Sequence, residues 1–416
     1  MKGLSIIIVL LAALLAGMGV SAQDAGTPYA VVVDGNLWVY APGAEPQLVM
    51  AGSSQGFFGS LAWNADGTKL AFINYDYSAS SMLVQIMVYD MTTGAAPFGL
   101  NTGFLESGFP ISFTADGQIL FAVQPPTMPD GEQMYQTEIY TVAPDAAATP
   151  ALVAALDYTV GCGGGSPYPT DNNYWRETGF GGNYLLLQWT AAGIVYSTSC
   201  SGLGSALFDP QTGESVELGT SLARGVISPD GTRLAGISVS YGDTGMSGAL
   251  QIIDLATRQL TEVATMVIPD QLAWSDNETL LYSARVQSGN LLEAYSAEQQ
   301  AVLNATFGYE MGVIPVYSVS INTINLTTGS ESSVYVGAAW AIGRMFRLAD
   351  GRILFSAVPN LNAWVAGIAD GSIDMASEES LEAGSALVAT QVFVLENASA
   401  QNWGSNWAQI TPYLGG

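Results

Sequence analysis

Short apolar runs follow a recurring turn sequence along most of the chain. In each copy an aromatic or apolar residue precedes an Asp-Gly pair, and a run of apolar residues comes next. The strongest copies are Trp63-Asn-Ala-Asp66-Gly67, Phe113-Thr-Ala-Asp116-Gly117 and Ile227-Ser-Pro-Asp230-Gly231, with weaker ones at Trp189, Trp274 and Arg347. Glycine accepts positive φ and Asp bonds its own turn backbone, so Asp-Gly between apolar runs indicates a β-hairpin. Each copy therefore predicts two strands joined by a tight turn.

A third apolar run and a second turn follow each hairpin. Leu83–Asp90 and Ala249–Asp254 are such runs, and Thr92–Gly94 and Gln211–Gly213 are such turns. A fourth short run ends each unit. Four antiparallel strands per repeat are typical of one propeller blade, and a unit that recurs along the chain indicates a repeat architecture. The sequence thus predicts an all-β fold, a β-propeller of four-stranded antiparallel blades.

Six units carry the turn sequence. They cover about 60–102, 109–157, 184–221, 223–267, 269–337 and 340–412. Three short apolar runs without it precede them, at Tyr29–Val33, Leu37–Tyr40 and Gln47–Met50. These runs form either an incomplete seventh blade or strands that close the ring by joining the last blade. Ring closure removes sheet edges that would otherwise be exposed. We favour seven blades over six.

The repeat resembles a known family. Ser228-Pro-Asp230-Gly231-Thr232-Arg-Leu-Ala235 is similar to the repeat of TolB-type β-propellers, which are relatives of the WD-repeat blade, and Asn64–Ala71 is nearly as similar. The resemblance covers about residues 60–410 and implies a propeller fold. The N-terminal domain of TolB has no counterpart in this sequence, so the resemblance implies no partner from the Tol system.

The N-terminus reads as a signal peptide. Lys2 provides the positive end, Leu4–Val20 the apolar region, and Val20-Ser21-Ala22 a cleavage site of small residues before Gln23. An uncleaved anchor is the alternative, since about 20 apolar residues span a bilayer. We expect residues 1–22 to be removed, residues 23–416 to form one propeller domain, and the protein to be secreted, in the periplasm or outside the cell. No membrane insertion is expected after cleavage.

Charge and composition exclude several functions. The net charge is −26, and Lys69 is the only lysine after the signal peptide. Nucleic acid is therefore not an expected partner, because binding phosphates requires a basic surface. The sequence contains no histidine, which excludes a Ser-His-Asp triad and metal sites that depend on histidine. We expect no cofactor, no metal and no catalytic residue, although carboxylate pairs remain possible for glycan chemistry.

The two cysteines, Cys162 and Cys200, are predicted to form a disulfide. A secreted protein with two cysteines most simply pairs them. Strand order supports the pairing, because Cys162 lies in a crossover between blades and Cys200 ends a second strand. Both positions fall at the same end of the blades.

Long insertions leave the predicted blades at that same end. They are Asp76–Met82, Gln124–Met134, Gly161–Asn183, Tyr241–Gly248, Gly289–Val313 and Pro359–Ala389. Helices are expected at Leu291–Leu303, with Leu291, Leu292, Tyr295, Val302 and Leu303 on one side, and more weakly at Ala376–Ala389. Loops on one end of a repeat scaffold commonly carry binding sites.

Aromatic and acidic residues on these insertions are the candidate ligand contacts. They are Tyr75, Tyr77, Tyr174, Trp175, Tyr241, Asp243 and Trp364. Tyr and Trp offer flat apolar area with a polar edge, although packing of the loops onto the ring is the more common reason for such residues. The sequence favours a secreted, non-catalytic binding scaffold for a protein, peptide or cell-envelope glycan. The alternatives are a carboxylate-dependent glycan-active enzyme and a self-assembling structural component of the envelope.

Overall fold

The structure is a computed structural model. It describes residues 27–53, 56–76, 83–102, 110–123, 137–156, 186–198, 204–219, 222–242, 245–266, 269–308, 310, 314–338, 342–348, 350–377, 379–380, 384, 387–396, 399–405 and 407–412. The first fourteen strands are β1 (Tyr29–Val33), β2 (Asn36–Tyr40), β3 (Gln47–Met50), β4 (Gly56–Trp63), β5 (Lys69–Asp76), β6 (Leu83–Asp90), β7 (Phe98–Gly99), β8 (Ser112–Phe113), β9 (Ile119–Val123), β10 (Thr137–Val142), β11 (Ala151–Leu156), β12 (Leu187–Thr190), β13 (Gly193–Ser197) and β14 (Ser205–Asp209).

Two helical insertions lie among the remaining strands. They are β15 (Glu214–Gly219), β16 (Leu222–Ile227), β17 (Arg233–Gly242), β18 (Gly245–Asp254), β19 (Leu260–Met266), β20 (Pro269–Trp274), β21 (Thr279–Asn290), β22 (Pro315–Asn325), β23 (Glu331–Ala338), β24 (Ile342–Arg347), β25 (Ile353–Ala357), β26 (Gln391–Glu396), β27 (Ser399–Ser405) and β28 (Trp407–Pro412). A 3-10 turn (Leu291–Ala294) and helix α1 (Ala297–Phe307) lie between β21 and β22, and helix α2 (Leu361–Asp370) lies between β25 and β26.

Seven four-stranded antiparallel sheets make up the described part of the chain. Blades 1 to 6 are β4–β7, β8–β11, β12–β15, β16–β19, β20–β23 and β24–β27. The closing blade has the order β28-β1-β2-β3. The predicted seven-bladed propeller is therefore confirmed. The last predicted unit is divided, because β27 completes blade 6 and β28 leaves it to pair with β1. In the described part of the chain, the last strand thus joins the first three in one sheet and closes the ring.

The first strand of each blade lies nearest the ring axis. First strands of neighbouring blades contact one another, as in the pairs β4 with β8, β8 with β12, β16 with β20, β20 with β24, and β28 with β4. Two tryptophans of the turn sequence join such strands. Trp63 donates from Nε1 to the carbonyl of Thr411 at 2.9 Å, and Trp274 donates to that of Val226 at 3.0 Å. Each bond links a blade to the one before it.

The Asp-Gly turns form as the sequence predicts. Asp66 accepts hydrogen bonds from the backbone N–H of Thr68 at 2.9 Å and from its hydroxyl at 2.5 Å. Gly67 has a φ of +70°, which favours glycine. The Thr68 hydroxyl bond is the main reason that the pKa of Asp66 lies below its usual value. The turn carboxylates are thus used by the fold itself.

Four first strands carry a bulge at a similar height. The pairing register shifts between Gly59 and Ala62, Ala223 and Val226, Pro269 and Leu272, and Ile342 and Met345. A bulge leaves backbone groups without ladder partners. In blade 5, the fully buried Ser283 supplies the replacement, because its Oγ accepts from the N–H of Gln271 at 2.9 Å. In blade 3, Ser197 accepts similarly from Leu186 at 2.7 Å.

The core lies between neighbouring blades. Between blades 4 and 5, Ile237 and Leu250 pack with Trp274 and Tyr282. Trp63, Phe113 and Trp189 pack against other inter-blade clusters. In the described part of the chain, no helix combines the length and apolar character needed to cross a membrane.

Candidate functional site

Strand order divides the connections between two faces of the ring. In an antiparallel blade, the first and third connections lie at one end, and the second connection and the crossover lie at the other. We call the end with the Asp-Gly turns the turn face. We call the other end, which carries α1 and α2, the insertion face.

On the turn face, side chains of blades 4 and 5 contact each other and link the two blades. In blade 4, the backbone N–H of Asp230 donates to Oδ1 of Asn277 in blade 5 at 3.0 Å. The guanidinium of Arg233 contacts the carbonyl of Asn277, lies 3.4 Å from the Glu278 carboxylate, and stacks 5.4 Å from the ring centre of Trp274. These groups hold neighbouring turns together.

A small open cavity of about 210 Å³ lies beside this contact, between blades 4 and 5. Its walls include Ile252, Asp254, Thr261 and Leu326. Backbone and hydroxyl hydrogen bonds from Thr257 lower the pKa of Asp254 below its usual value. The carboxylate is therefore already satisfied by its own turn.

The insertion of blade 5 is closed at its base. Asn290 and Pro315 are the last paired residues of the β21–β22 hairpin. Oδ1 of Asn290 accepts from the N–H of Leu292 at 3.2 Å and from that of Ile314 at 3.0 Å. The N–H of Leu291 also donates to the carbonyl of Ile314 at 2.7 Å. The segment thus leaves and rejoins the blade at one point.

Helix α1 has well-defined ends. Ser296 and Gln299 form a capping box at its start, and Gly308 ends it with a φ of +74°. Nε2 of Gln300 donates to the carbonyls of Leu292 and Tyr295 at 2.9 and 3.0 Å. These bonds fix the helix to the 3-10 turn before it.

The helix predicted at Leu291–Leu303 is present, but it starts later and ends later than predicted. The 3-10 turn occupies Leu291–Ala294, and α1 begins only at Ala297. The predicted apolar side therefore does not form as one surface. Leu303 is fully buried, whereas the neighbouring Val302 is 43% exposed, because adjacent helical residues point about 100° apart.

Helix α2 was not predicted from the sequence. The weaker of the two predicted helices was expected at Ala376–Ala389, after the end of α2. Helical conformation is also present within this predicted range, at residues 379, 380, 384, 387 and 388. The signal for α2 is present in the sequence: Leu361, Val365 and Ile368 have helical spacing, and Gly371 follows the last turn with a φ of +79°.

The two helices pack against each other in opposite directions. Near the C-terminus of α1, the ring of Phe307 lies 6.0 Å from that of Trp364 near the N-terminus of α2. At the other end, burial and the nearby charge of Asp370 raise the pKa of Tyr295. The helices are therefore antiparallel. Their shared interior consists of Leu292, Leu303, Ile314, Val365, Ile368, Ala369 and Ile373. We call this arrangement the helix pair.

The candidate ligand contacts lie in different environments. Trp364 is half-buried in the helix pair. Tyr75 lies in β5, is only 5% exposed, and stacks on Phe57 with ring centres 4.4 Å apart. Tyr241 lies in β17, where the predicted excursion is a regular β17–β18 hairpin that pairs as far as Gly242 and Gly245. Their role in binding stays a prediction.

The other candidates lie outside the described residues. They are Tyr77, Tyr174, Trp175 and Asp243, together with the cysteines Cys162 and Cys200. The disulfide stays a prediction, which thiol labelling of the denatured, unreduced protein tests. Two reactive thiols would contradict it.

Acidic side chains of the described insertions accept hydrogen bonds from neighbouring groups. Within the described ranges, no group of three or more His, Cys, Asp or Glu side chains is placed to hold a metal ion. Asp370 accepts from the N–H of Ser372 at 2.9 Å, and hydrogen bonds from Ser372 lower its pKa. The pKa of Glu298 is lowered by a backbone hydrogen bond and by the Ser296 hydroxyl. Both are ionised at neutral pH.

Proteins similar to this chain are found among solved structures. No protein-family model matches the sequence, and no curated protein matches it. Its structure is similar to TolB from Acinetobacter baumannii, with 15% identity, a TM-score of 0.42, and coverage of 76% of this chain and 65% of that one. The chain thus spans slightly less than two thirds of that TolB.

Two enzymes show similar likenesses. An oligogalacturonate lyase from Vibrio parahaemolyticus has 10% identity and a TM-score of 0.48, covering 80% of this chain and 84% of the lyase. An acylaminoacyl peptidase from Pyrococcus horikoshii has 11% identity and a TM-score of 0.45, covering 89% of this chain and 48% of the peptidase. These likenesses concern the propeller fold alone.

Proposed function

We propose that the protein is a secreted, non-catalytic binding scaffold that recognises a protein, peptide or cell-envelope glycan through its insertion face. The observation that carries the proposal is the helix pair. Neighbouring blades 5 and 6 each insert a helix at the same end of the ring, and the two helices share one apolar interior. A preformed surface of this kind binds with a smaller entropic cost than mobile loops do.

The opposite face offers less to a ligand. Its aspartates accept hydrogen bonds from their own turns, as Asp66 and Asp254 do, and Arg233 links blade 4 to blade 5. Binding a partner there would compete with bonds that hold the ring together. The insertion face is therefore the better candidate for recognition.

The absence of histidine favours binding over catalysis. General acid catalysis by a carboxylic acid near neutral pH requires a raised pKa, which burial commonly produces. Asp370 and Glu298 have lowered pKa values instead, because both accept hydrogen bonds. In the described part of the helix pair, these carboxylates suit charge recognition and not proton donation.

Secretion is proposed from the N-terminal sequence alone. The expected mature chain begins at Gln23, and mass spectrometry of the native protein tests this. Retention of residues 1–22 would contradict it.

A ligand screen followed by footprinting tests the binding proposal. A glycan array and a displayed random-peptide library are screened against the protein, and hydrogen exchange then maps the region that each bound ligand protects. The proposal expects protection on the insertion face. Trp364→Ala should weaken binding by more than about 1 kcal/mol if Trp364 is a contact, and Asp116→Asn on the turn face should leave affinity unchanged. Protection confined to the turn face would refute the proposal.

A further inference from the structure

We infer that the helix pair docks a segment that is both basic and apolar, such as an amphipathic helix carrying Lys or Arg beside aliphatic side chains. This inference rests on the proposed function and names the class of partner that the same face would take.

The solvent-facing side of α1 carries several apolar side chains. Its exposed residues include Ala297, Ala301 and Ala305, at successive positions four residues apart, and Val302 at 43% exposure. Leu303 is buried on the other side. The outer side of α1 thus combines these apolar side chains with the exposed Glu298 and Thr306, whereas a surface helix usually has a mainly polar outer side. Met375, which follows α2, is a further exposed apolar side chain at 37%.

The helix pair and the residues beside it also carry negative charge. Neither insertion, 289–313 or 359–389, contains a lysine or arginine. Glu293, Glu298, Asp370 and Asp374 are exposed. Because the helices are antiparallel, Asp370 at the end of α2 lies near the start of α1, where Glu298 is in the first turn. The C-terminus of α2 adds the negative end of its helix dipole. The surface at this end therefore favours a cation.

The acidic and apolar groups share one side of α1. Glu298 and Val302 are four residues apart, so they are neighbours on the helix surface. A partner that places an aliphatic side chain on Val302 and a cationic side chain near Glu298 would cover the exposed apolar surface and pair the carboxylate at the same time. A second copy of this chain is a poor occupant, because its net charge of −26 makes close approach unfavourable. Anionic membrane is unfavourable for the same reason.

The probe for the test is a helical peptide of about 18 residues made of Leu and Lys, with Leu at helical spacing. One comparison peptide has the same composition in scrambled order. A second has Glu in place of Lys. Fluorescence anisotropy gives the Kd of each for the protein at physiological salt. We expect the patterned Leu/Lys peptide to bind at least about tenfold more tightly than the scrambled one, and the Leu/Glu peptide not to bind.

Variants of the helix pair separate this surface from general attraction to an acidic protein. We expect Val302→Ser to weaken binding about fivefold or more, and the double variant Glu298→Gln/Asp370→Asn to weaken it similarly and reduce its salt dependence. Gln and Asn retain the oxygen acceptors. The matched control is Glu214→Gln/Glu217→Gln, which removes the same charge from exposed positions of blade 3. It should change the Kd less than twofold, a difference of under about 0.4 kcal/mol.

Circular dichroism establishes that each variant is folded. Equal affinity for the patterned and scrambled peptides would overturn the inference. Equal losses in the helix-pair variants and the blade 3 control would also overturn it. If a ligand from the screen protects the insertion face but is insensitive to both helix-pair variants, this inference fails and the proposed function stands. If all protection lies on the turn face, the proposed function fails first.

Discussion

Removing one buried hydroxyl should measurably destabilise the ring. Ser283 is fully buried, and its Oγ accepts from the N–H of Gln271 at 2.9 Å, within the bulge of β20. In Ser283→Ala this N–H loses its acceptor while it stays away from water. An orphaned buried donor costs about 1–3 kcal/mol, whereas the lost hydroxyl contributes little by itself to apolar packing.

The expected change in melting temperature is small because the protein is large. Unfolding entropy is about 2.1 cal/mol/K per residue, so the loss corresponds to a decrease of about 1–4 °C for this chain. Ser333→Ala is the control, since Ser333 is exposed and its hydroxyl makes only a 3.4 Å contact with the Tyr335 carbonyl. An exposed substitution of this kind should change stability by less than about 0.5 kcal/mol.

Differential scanning calorimetry and urea unfolding give the two values. If Ser283→Ala has the same melting temperature and urea midpoint as the parent, the Ser283 bond contributes no stability and the reasoning is refuted. An equal decrease in Ser333→Ala would show that the effect is not specific to burial.

Three further outcomes are expected. Trp63→Phe removes the Nε1 donor to β28 and should lower the free energy of unfolding by about 1–3 kcal/mol; urea unfolding measures this, and no change would contradict it. Gly193→Ala should destabilise the protein far more than Gly213→Ala does. Gly193 has a φ of +132°, and a Cβ added there would lie 2.3 Å from a carbonyl oxygen of β14, whereas a Cβ added at Gly213 would meet open space. The cross-strand ion pair with Lys69 lowers the pKa of Asp90 from 3.8 to about 2. The ionised Asp90 carboxylate therefore stabilises the fold above about pH 4, and this stabilisation is lost as the pH falls toward 2. Asp90→Asn should accordingly destabilise at pH 7 and have little effect at pH 2, and equal destabilisation at both would contradict this.

The fold follows from local signals that each repeat carries by itself. Asp66-Gly67 specifies its hairpin through a positive φ and bonds made within the turn, so no distant residue is needed to predict it. Ring closure is different. Nothing in β28 distinguishes it from a fourth strand of blade 6, and its pairing with β1 depends on where the completed ring brings the two ends.

The recurring serine is a signal that the sequence contains and that turn-based reasoning missed. Tyr196-Ser197, Tyr282-Ser283 and Phe355-Ser356 occupy the same position in three second strands. Ser197 and Ser283 accept first-strand amides, and a Cβ on Gly343 would lie 2.1 Å from the Ser356 hydroxyl. An aromatic-Ser pair after an apolar run thus marks where a second strand supports the first.

The candidate site was predictable only in outline. Strand parity predicts which face carries the insertions, because that depends on connection order alone. It does not predict that α1 and α2 pack together, since this contact joins different blades. It also does not separate the buried Leu303 from the exposed Val302. That distinction depends on where the 3-10 turn ends and α1 begins.

The helix pair has an interior separate from the ring that supports it. Leu303, Val365 and Ile368 belong to one cluster, whereas Val319 and Phe355, from the strands that carry the insertions, belong to the cluster between blades 5 and 6. Substitutions at sites without shared contacts are nearly additive in stability. Changes on the outer side of α1 should therefore alter recognition with little effect on the ring. If the helix pair binds a ligand as proposed, this separation would allow the ligand to vary while the blade repeat keeps the spacing of the insertions fixed.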